Sequence, residues 1–267
     1  MPLKLSVEFF PPAENLLTDT VKVIEQYVKN FPIERISITH GAAGSQKDKS
    51  LHFIEEILKR QIIAPEKITA HLSCAGLAKS EVMNYIAQFH SLGLRETLVI
   101  KGDPTASESD DSYKTTSDAI IDIKKQFTDI SIVAACFPEP RNGVDEMTVL
   151  KEKVQSGTDR FISQFCFDCK YFEEFYKHTQ EYNMKKEITI GLIVPSVQTL
   201  NFARKCYANI PQFVEEISHN EEDSIQFVVD QMHKVESIGY SSVHLYSLNK
   251  LSFVKVLNKY FDERKNS

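Results

Sequence analysis

The sequence predicts an α/β fold, a (β/α)8 barrel of TIM type formed by residues 1–267 as one domain. Eight short runs rich in β-branched and apolar residues alternate with longer amphipathic runs over 267 residues, which is the rhythm and size of an eightfold barrel. Polar residues gather at the C-terminal tips of the short runs, the face where such a barrel does its chemistry. No linker, repeat or composition shift divides the chain. An open doubly wound sheet shares the alternation and is the competing architecture.

The first strand is expected over Lys4–Phe9. Leu5, Val7 and Phe9 alternate there with Ser6 and Glu8, so the two sets face opposite ways. Pro11 and Pro12 stop the run because neither can donate a ladder hydrogen bond. Val21, Ile24 and Val28 then recur at helical spacing. A second strand, Arg35–Thr39, precedes a helix marked by Leu51, Ile54, Ile57 and Leu58. A third, Lys67–Ser73, precedes one marked by Val82, Tyr85, Ile86 and Phe89, with Gly93 placed as a C-cap. After a fourth strand, Glu96–Lys101, the segment 105–116 is rich in Ser, Thr and Asp and reads as a mobile loop on the catalytic face. Ser117-Asp118 opens the next helix in the manner of an N-cap. Ser131–Cys136 is the fifth strand, and Val149, Leu150 and Val154 mark the helix that runs to Gly157. Phe161–Phe165, Glu187–Ile193 and Ser242–Tyr246 complete the eight. Ala208 to Asp223 reads as an acidic insertion before the last helix, and Gly239 follows a helical run.

Composition excludes several classes. A net charge of −6 and a pI near 5.8 leave no electrostatic footprint for nucleic acid. No apolar run approaches the roughly 18 residues a membrane helix needs, and no basic start leads into an apolar stretch. Five scattered cysteines, an odd number, point to free thiols in a reducing compartment. The expectation is a soluble cytoplasmic protein.

The strand tips carry the candidates for chemistry. Strand one ends with Glu8, and strand two with Thr39-His40-Gly41. Strand three carries His71 and ends at Ser73-Cys74. Strand four ends in Lys101-Gly102-Asp103, and strand five leads to Phe137-Pro138-Glu139-Pro140-Arg141. Gln164 lies on strand six, and Leu248-Asn249-Lys250 follows strand eight. Each has a plainer reading. Glu8 suits an edge carboxylate in water, His71 a hydrogen-bonded core histidine, and Lys101-Gly102-Asp103 a tight turn. No dinucleotide-binding glycine fingerprint, P-loop or nucleophile elbow occurs. Cys166-x-x-Cys169 and His71-x-x-Cys74 offer thiols and an imidazole, but no second Cys-x-x-Cys accompanies them, so no metal site is expected.

In order along the chain, Val7-Glu8-Phe9-Phe10-Pro11-Pro12, Ser37-Ile38-Thr39-His40-Gly41-Ala42, Ala70-His71-Leu72-Ser73-Cys74, Lys101-Gly102-Asp103, Ala134 to Glu139, Lys151 to Val154, Gln164-Phe165 and Leu248-Asn249-Lys250 together resemble the catalytic barrel of the methylenetetrahydrofolate reductase family. The resemblance implies FAD held at the strand tips, reduction of the flavin by NAD(P)H, and hydride delivery to methylenetetrahydrofolate. It implies that Glu8 is the general acid and that Asp103 stands near flavin and pterin. Thr39, His71, Lys101, Gly102 and Lys153 match flavin-contacting positions, and Ser117, Phe137 and Arg141 fall at further cofactor-binding positions. Gln164, Thr199 and Lys250 match substrate-binding positions beside Glu8 and Asp103. A homo-oligomer is expected on the same ground. Departures are Phe137 for a frequent Tyr, Arg141 for a frequent His, Glu152 for a basic residue, and Thr199 for an aromatic that Phe202 could replace. They leave two alternatives: a one-carbon enzyme on the same barrel that holds FAD weakly or not at all, and a non-catalytic folate-binding or interaction module.

Overall fold

The computed structural model describes residues 2–40, 47–102, 111–206 and 208–266. Eight parallel strands pair in chain order and close, β8 against β1. They are β1 (Lys4–Phe9), β2 (Ile33–Ile38), β3 (Ile68–Ser73), β4 (Glu96–Ile100), β5 (Ser131–Cys136), β6 (Arg160–Ser163), β7 (Glu187–Leu192) and β8 (Ser242–Tyr246). The helices are α1 (Leu17–Asn30), α2 (Lys47–Lys59), α3 (Lys79–Ser91), α4 (Thr116–Gln126), α5 (Glu146–Ser156), α6 (Cys169–Glu181), α7 (Val197–Lys205), α8 (Gln212–Ile217), α9 (Glu221–Ile238) and α10 (Ser252–Lys265). The closed barrel, rather than an open sheet, is what the eightfold alternation predicts.

Alternation along each strand separates two interiors. Leu5, Val7 and Phe9 pack outward beneath α1, where the Phe9 ring meets Tyr27 edge-on at 5.8 Å between centroids. Ser6 and Glu8 therefore turn inward. Inside the barrel Leu98, Val133 and Ile162 form a small apolar plug. At the N-terminal end of the strands, Arg160 donates to Glu96 at 2.9 and 2.5 Å, and Thr69 donates to the same carboxylate. Burial would raise the Glu96 carboxyl, but the hydrogen bonds and charge of Arg160 outweigh it and hold the group below the usual carboxylate range.

Local expectations differ in detail. β2 starts at Ile33 and ends before Thr39, β4 ends before Lys101, and β6 ends before Gln164, so these three candidates lie on the loops that leave the strands. The N-cap of α4 is Thr115 and not Ser117. The Asp118 amide donates to Thr115 Oγ1 at 3.1 Å, and the Asp118 carboxylate accepts from the Thr115 amide at 3.2 Å. That Thr-x-x-Asp box satisfies two backbone donors at once, which Ser117 in the first turn cannot do. The insertion 208–223 holds α8 and the Asn220 cap of α9, and the helix it precedes is followed by β8 and α10. Positions 105–110 of the expected loop after β4 lie outside the described residues. Among those described, no helix is long and apolar enough to cross a membrane.

Candidate active site

Glu8 is the last inward-facing residue of β1, only 5% exposed. Ser37 of β2 and Tyr246 of β8 flank it in register. Two histidines face it. His71 Nε2 on β3 lies 3.8 Å from Glu8 Oε2, and His244 Nε2 on β8 lies 3.6 Å from the same oxygen. Both Nε2 atoms are buried and have no hydrogen-bond partner among the described residues. Burial raises the Glu8 carboxyl from 4.5 to about 7, with the nearby His71 pulling the other way. Burial lowers His71 to about 4 and His244 to about 3. Near neutral pH the cluster is thus a carboxyl that can carry a proton between two uncharged imidazoles, the arrangement a general acid requires.

The backbone around Glu8 is fixed by the tip of β8. Ser247 donates to the Glu8 carbonyl. Asn249 accepts from the Phe10 amide at 2.8 Å and donates to the Phe10 carbonyl at 2.9 Å. To do so the chain passes through left-handed backbone at Leu248 and Asn249, with φ of 50° and 60°. That conformation is unfavourable for a leucine, and this two-bond clasp is what offsets it. The Leu248-Asn249-Lys250 motif therefore acts first as a clasp, and Lys250 beyond it is exposed, donating to Gln198 Oε1 at 2.5 Å.

An aromatic wall stands on the β6–β8 side. Tyr246 donates to the Ser163 carbonyl at 3.0 Å, and its ring meets Phe165 and His244 edge-on. Phe202 of α7 packs between Phe165 and Phe10. Gln164 lies half-buried between these groups, its Oε1 accepting from the Phe165 amide at 3.2 Å. Gly191 lets the wall close up, because a Cβ there would stand 2.4 Å from the Ser163 carbonyl and 2.7 Å from the Tyr246 ring. Thr199 is not on this wall. It is 7% exposed, and its hydroxyl is consumed by the cap of α7, donating to the Val194 carbonyl and accepting from the Ser196 amide at 2.7 Å each. Phe202, one turn on, is the aromatic that reaches the Phe10 and Phe165 rings.

On the opposite side, Thr39 and His40 follow β2. His40 Nδ1 accepts from the Ser73 amide at 3.3 Å. Gly102 packs on Ser73 with φ at +82°, and a Cβ there would fall 2.0 Å from Ser73 Oγ, so glycine is required twice over. Lys101 is exposed. Asp103 lies outside the described residues.

The β5 tip differs from expectation. The Arg141 guanidinium lies 3.9 Å above the Phe137 ring centroid and is ion-paired with Glu146, whose other oxygen accepts from the Phe137 amide. It is already engaged. Lys153 reaches inward from α5 and donates to the Ala135 carbonyl at 2.6 Å, and burial lowers its pKa. Glu152, its neighbour in sequence, is exposed, because successive helical residues point about 100° apart. Ser117 sits half-exposed in the first turn of α4.

Sequence reasoning gave no role to three participants: Ser6, His244 and Tyr246. Their signal was available in the alternation. Ser6 shares a face with Glu8, and His244 with Tyr246, and strand pairing sets Ser6 opposite His244 and Glu8 opposite Tyr246.

The sequence profile of the methylenetetrahydrofolate reductase family matches residues 2–260. The 5,10-methylenetetrahydrofolate reductase of Escherichia coli (strain K12) is 24% identical over 263 residues, covering 93% of this chain and 87% of that protein. The same-named protein of Buchnera aphidicola subsp. Schizaphis graminum is 26% identical over 265 residues, with 93% and 88% coverage. The methylenetetrahydrofolate reductase (NADH) 1 of Arabidopsis thaliana is 25% identical over 275 residues, which is 91% of this chain and 46% of that protein. Among solved structures, a 2,3-dimethylmalate lyase matches with a TM-score of 0.57 at 10% identity, covering 100% of this chain and 84% of that one. The dihydropteroate synthase of Xanthomonas albilineans matches with 0.55 at 10% identity, covering 98% and 93%. At that identity these two carry the barrel and nothing more. The profile match spans almost the whole chain, and the chain belongs to the methylenetetrahydrofolate reductase family.

Proposed function

We propose that this protein reduces 5,10-methylenetetrahydrofolate to 5-methyltetrahydrofolate with NAD(P)H as the electron source and FAD as the carrier. The observation that carries the reading is Glu8: a buried carboxyl near 7 between two neutral histidines. The bridging methylene of the substrate must open to an iminium before it can accept hydride, and opening needs a proton on the departing nitrogen. A carboxyl that still holds its proton near neutral pH can give it there. Gln164 supplies amide donors and acceptors for a pterin, and the Phe10, Phe202 and Phe165 rings supply an apolar flank. Lys250 at the rim suits the anionic end of a folate, and Asp103, which the family resemblance sets near flavin and pterin, would favour the cationic iminium.

The residues fit a flavin. Lys153 is a half-buried ammonium whose charge burial disfavours, and its contact with the Ala135 carbonyl uses one of three N–H donors. An anionic phosphate would satisfy the others. Thr39, His71, Lys101, Gly102 and the first turn of α4 with Ser117 would hold the rest of the cofactor, with Phe137 and the Arg141 above it as a flat surface beside them. A flavin held by these residues would supply the redox chemistry, carrying hydride between nicotinamide and one-carbon unit. The protein's own part is to bind and orient, to exclude water, and to place a proton at Glu8 Oε2.

One observation favours the weak-flavin alternative: Arg141 is held by Glu146 and is not free for a diphosphate. The purified protein decides between them. Visible flavin absorption together with NAD(P)H-dependent formation of methyltetrahydrofolate supports the main reading. A colourless protein that turns folate over replaces it with the alternative, and a protein with neither property refutes both.

A further inference from the structure

A second small core stands beside the main one at the strand tips. Leu200 and Ala203 of α7 and Val214 of α8 pack there with Phe165, Phe167 and Ile193. Phe202, which meets the Phe10 and Phe165 rings, rides on this unit. At nine residues α7 is too short to be a stable helix alone, so its place depends on what ties it down. The Ser196 cap and the Gln198 bond to Lys250 hold its start. Arg204 pairs with Glu215 of α8 at 2.6 Å. Beyond its end, the Asn209 amide donates to Glu139 Oε2 at 3.0 Å, across 70 residues of sequence. We propose that Glu139 is a positioning residue, a latch from the β5 tip that holds the α7–α8 segment, and with it Phe202, against the substrate site.

The surroundings of Glu139 do little for Glu139 itself. Its Oε1 is buried and has no hydrogen-bond partner among the described residues. Burial raises its carboxyl, and the Asn209 amide opposes that rise; Asp168 raises it further, and Lys170 lowers it. Lys170 is itself paired with Asp168 at 2.8 Å, and the nearby Cys166 is a thiol that burial keeps protonated. A glutamate free to choose would face water. The Asn209 amide, in turn, belongs to an exposed residue and can bond to water without Glu139. The bond therefore adds little to net stability, and its effect is on where the segment sits. Pro138 and Pro140 fix φ on both sides of Glu139, so the latch is mounted on a stiff arm. The Ala208 amide donates back to the Ala203 carbonyl at 3.2 Å, which passes the hold at Asn209 directly to the end of α7.

The latch stands on geometry alone, while its effect on substrate rests on the proposed function. Amide hydrogen exchange followed by NMR reads the first part. In the parent the Asn209 amide should exchange at least about tenfold more slowly than in an unfolded chain. In Glu139→Ala that protection should vanish, and the amides of α7 should exchange faster. Glu139→Gln, which keeps an oxygen acceptor at the same reach, should restore both. Steady-state kinetics read the second part. Glu139→Ala should raise KM for methylenetetrahydrofolate roughly fivefold, the worth of about one hydrogen bond, and leave kcat nearly unchanged; Glu139→Gln should return KM to the parent value. A merely structural defect would instead lower kcat with the folded fraction and leave KM alone. An Asn209 amide that exchanges freely in the parent overturns the proposal without any variant, so a Glu139→Ala protein that does not fold leaves it testable. Unchanged exchange across α7, or an unchanged KM, in Glu139→Ala overturns it as well. If the exchange results hold in a protein that reduces no folate, the proposed function fails and the latch stands.

Discussion

Glu8→Gln should disable folate reduction and also stabilise the protein above neutral pH. Burial raises the carboxyl from 4.5 to about 7 in the folded protein. In the unfolded chain it ionises at its ordinary value. Between those two pH values the folded state holds a proton that the unfolded state has lost, so stability falls as pH rises through the window. The full cost, reached above the folded value, is about 3 kcal/mol at roughly 1.36 kcal/mol per pH unit. An amide never ionises and escapes that cost. The variant's advantage over the parent should therefore grow from acid to mildly alkaline pH and then level off. For a chain of this size about 1 kcal/mol moves Tm by roughly 2–4 °C, so the swing in Tm difference is at most about 6–12 °C. His71 and His244 titrate with the opposite sign. Their folded values, about 4 and 3, lie below the unfolded value, so their contribution is lost as pH falls. Parent and variant share that loss, and the difference curve isolates Glu8. Calorimetry on both proteins across the pH range is the assay. A flat difference curve, or one that favours the parent at alkaline pH, would refute a buried, proton-holding Glu8. In kinetics the same variant should keep NAD(P)H oxidation with an artificial acceptor and lose roughly 10²–10⁴-fold in folate reduction, the usual worth of a general acid.

Other perturbations reach separate parts of the design. Arg160→Met removes the closest partner of buried Glu96, leaving Arg35 at 3.8 Å, and should cost up to roughly 3–5 kcal/mol in denaturant unfolding, most of it recovered when Glu96→Leu is added; an additive double mutant would show that the pair is not coupled. Asn249→Ala removes both bonds to the Phe10 backbone and should lose about 1–3 kcal/mol, with folate turnover falling more than flavin retention; unchanged stability would deny the clasp. Lys153→Met should weaken FAD binding by at least about tenfold in a titration of apoprotein, whereas Glu152→Arg, at an exposed position, should leave it nearly unchanged.

The barrel was legible because its signals are local and repeated. Alternating strands, amphipathic helices and Gly157 and Gly239 at helix ends each needed only a few residues, and they agreed with one another. Glu8 was legible too, as an inward carboxylate stopped by two prolines. How its neighbours assemble was not. His71 was visible as a strand residue, but nothing local sets it or His244 against Glu8, and only the closure of β8 on β1 brings Ser6 and His244 together. The fates of Thr199 and Arg141 depended on local competition that composition does not show. Thr199 is three residues beyond Ser196, where a capping box claims its hydroxyl. Arg141 is five residues before Glu146, close enough for the loop to pair them before any ligand does. Glu152 and Lys153 are adjacent in sequence but point apart, a distinction that depends on the rotation of α5 about its axis.

The placement of charge inside the barrel connects its two ends. Glu96 and Arg160 begin β4 and β6, at the end remote from the chemistry, and neutralise each other there. Above them lie Ser6 and His244, and above those Glu8 and His71. His244 thus stands between two carboxyl groups, a position that would ordinarily draw a proton onto an imidazole. Burial prevents it, and Arg160 cancels the pull of Glu96. Were His244 to become imidazolium, its charge 3.6 Å from Glu8 Oε2 would favour the ionised carboxylate. The pair at the floor therefore does more than fill the barrel. It offsets charge beneath His244, while burial, opposed by His71, sets the Glu8 carboxyl near neutrality, the range in which a carboxyl can serve as a general acid.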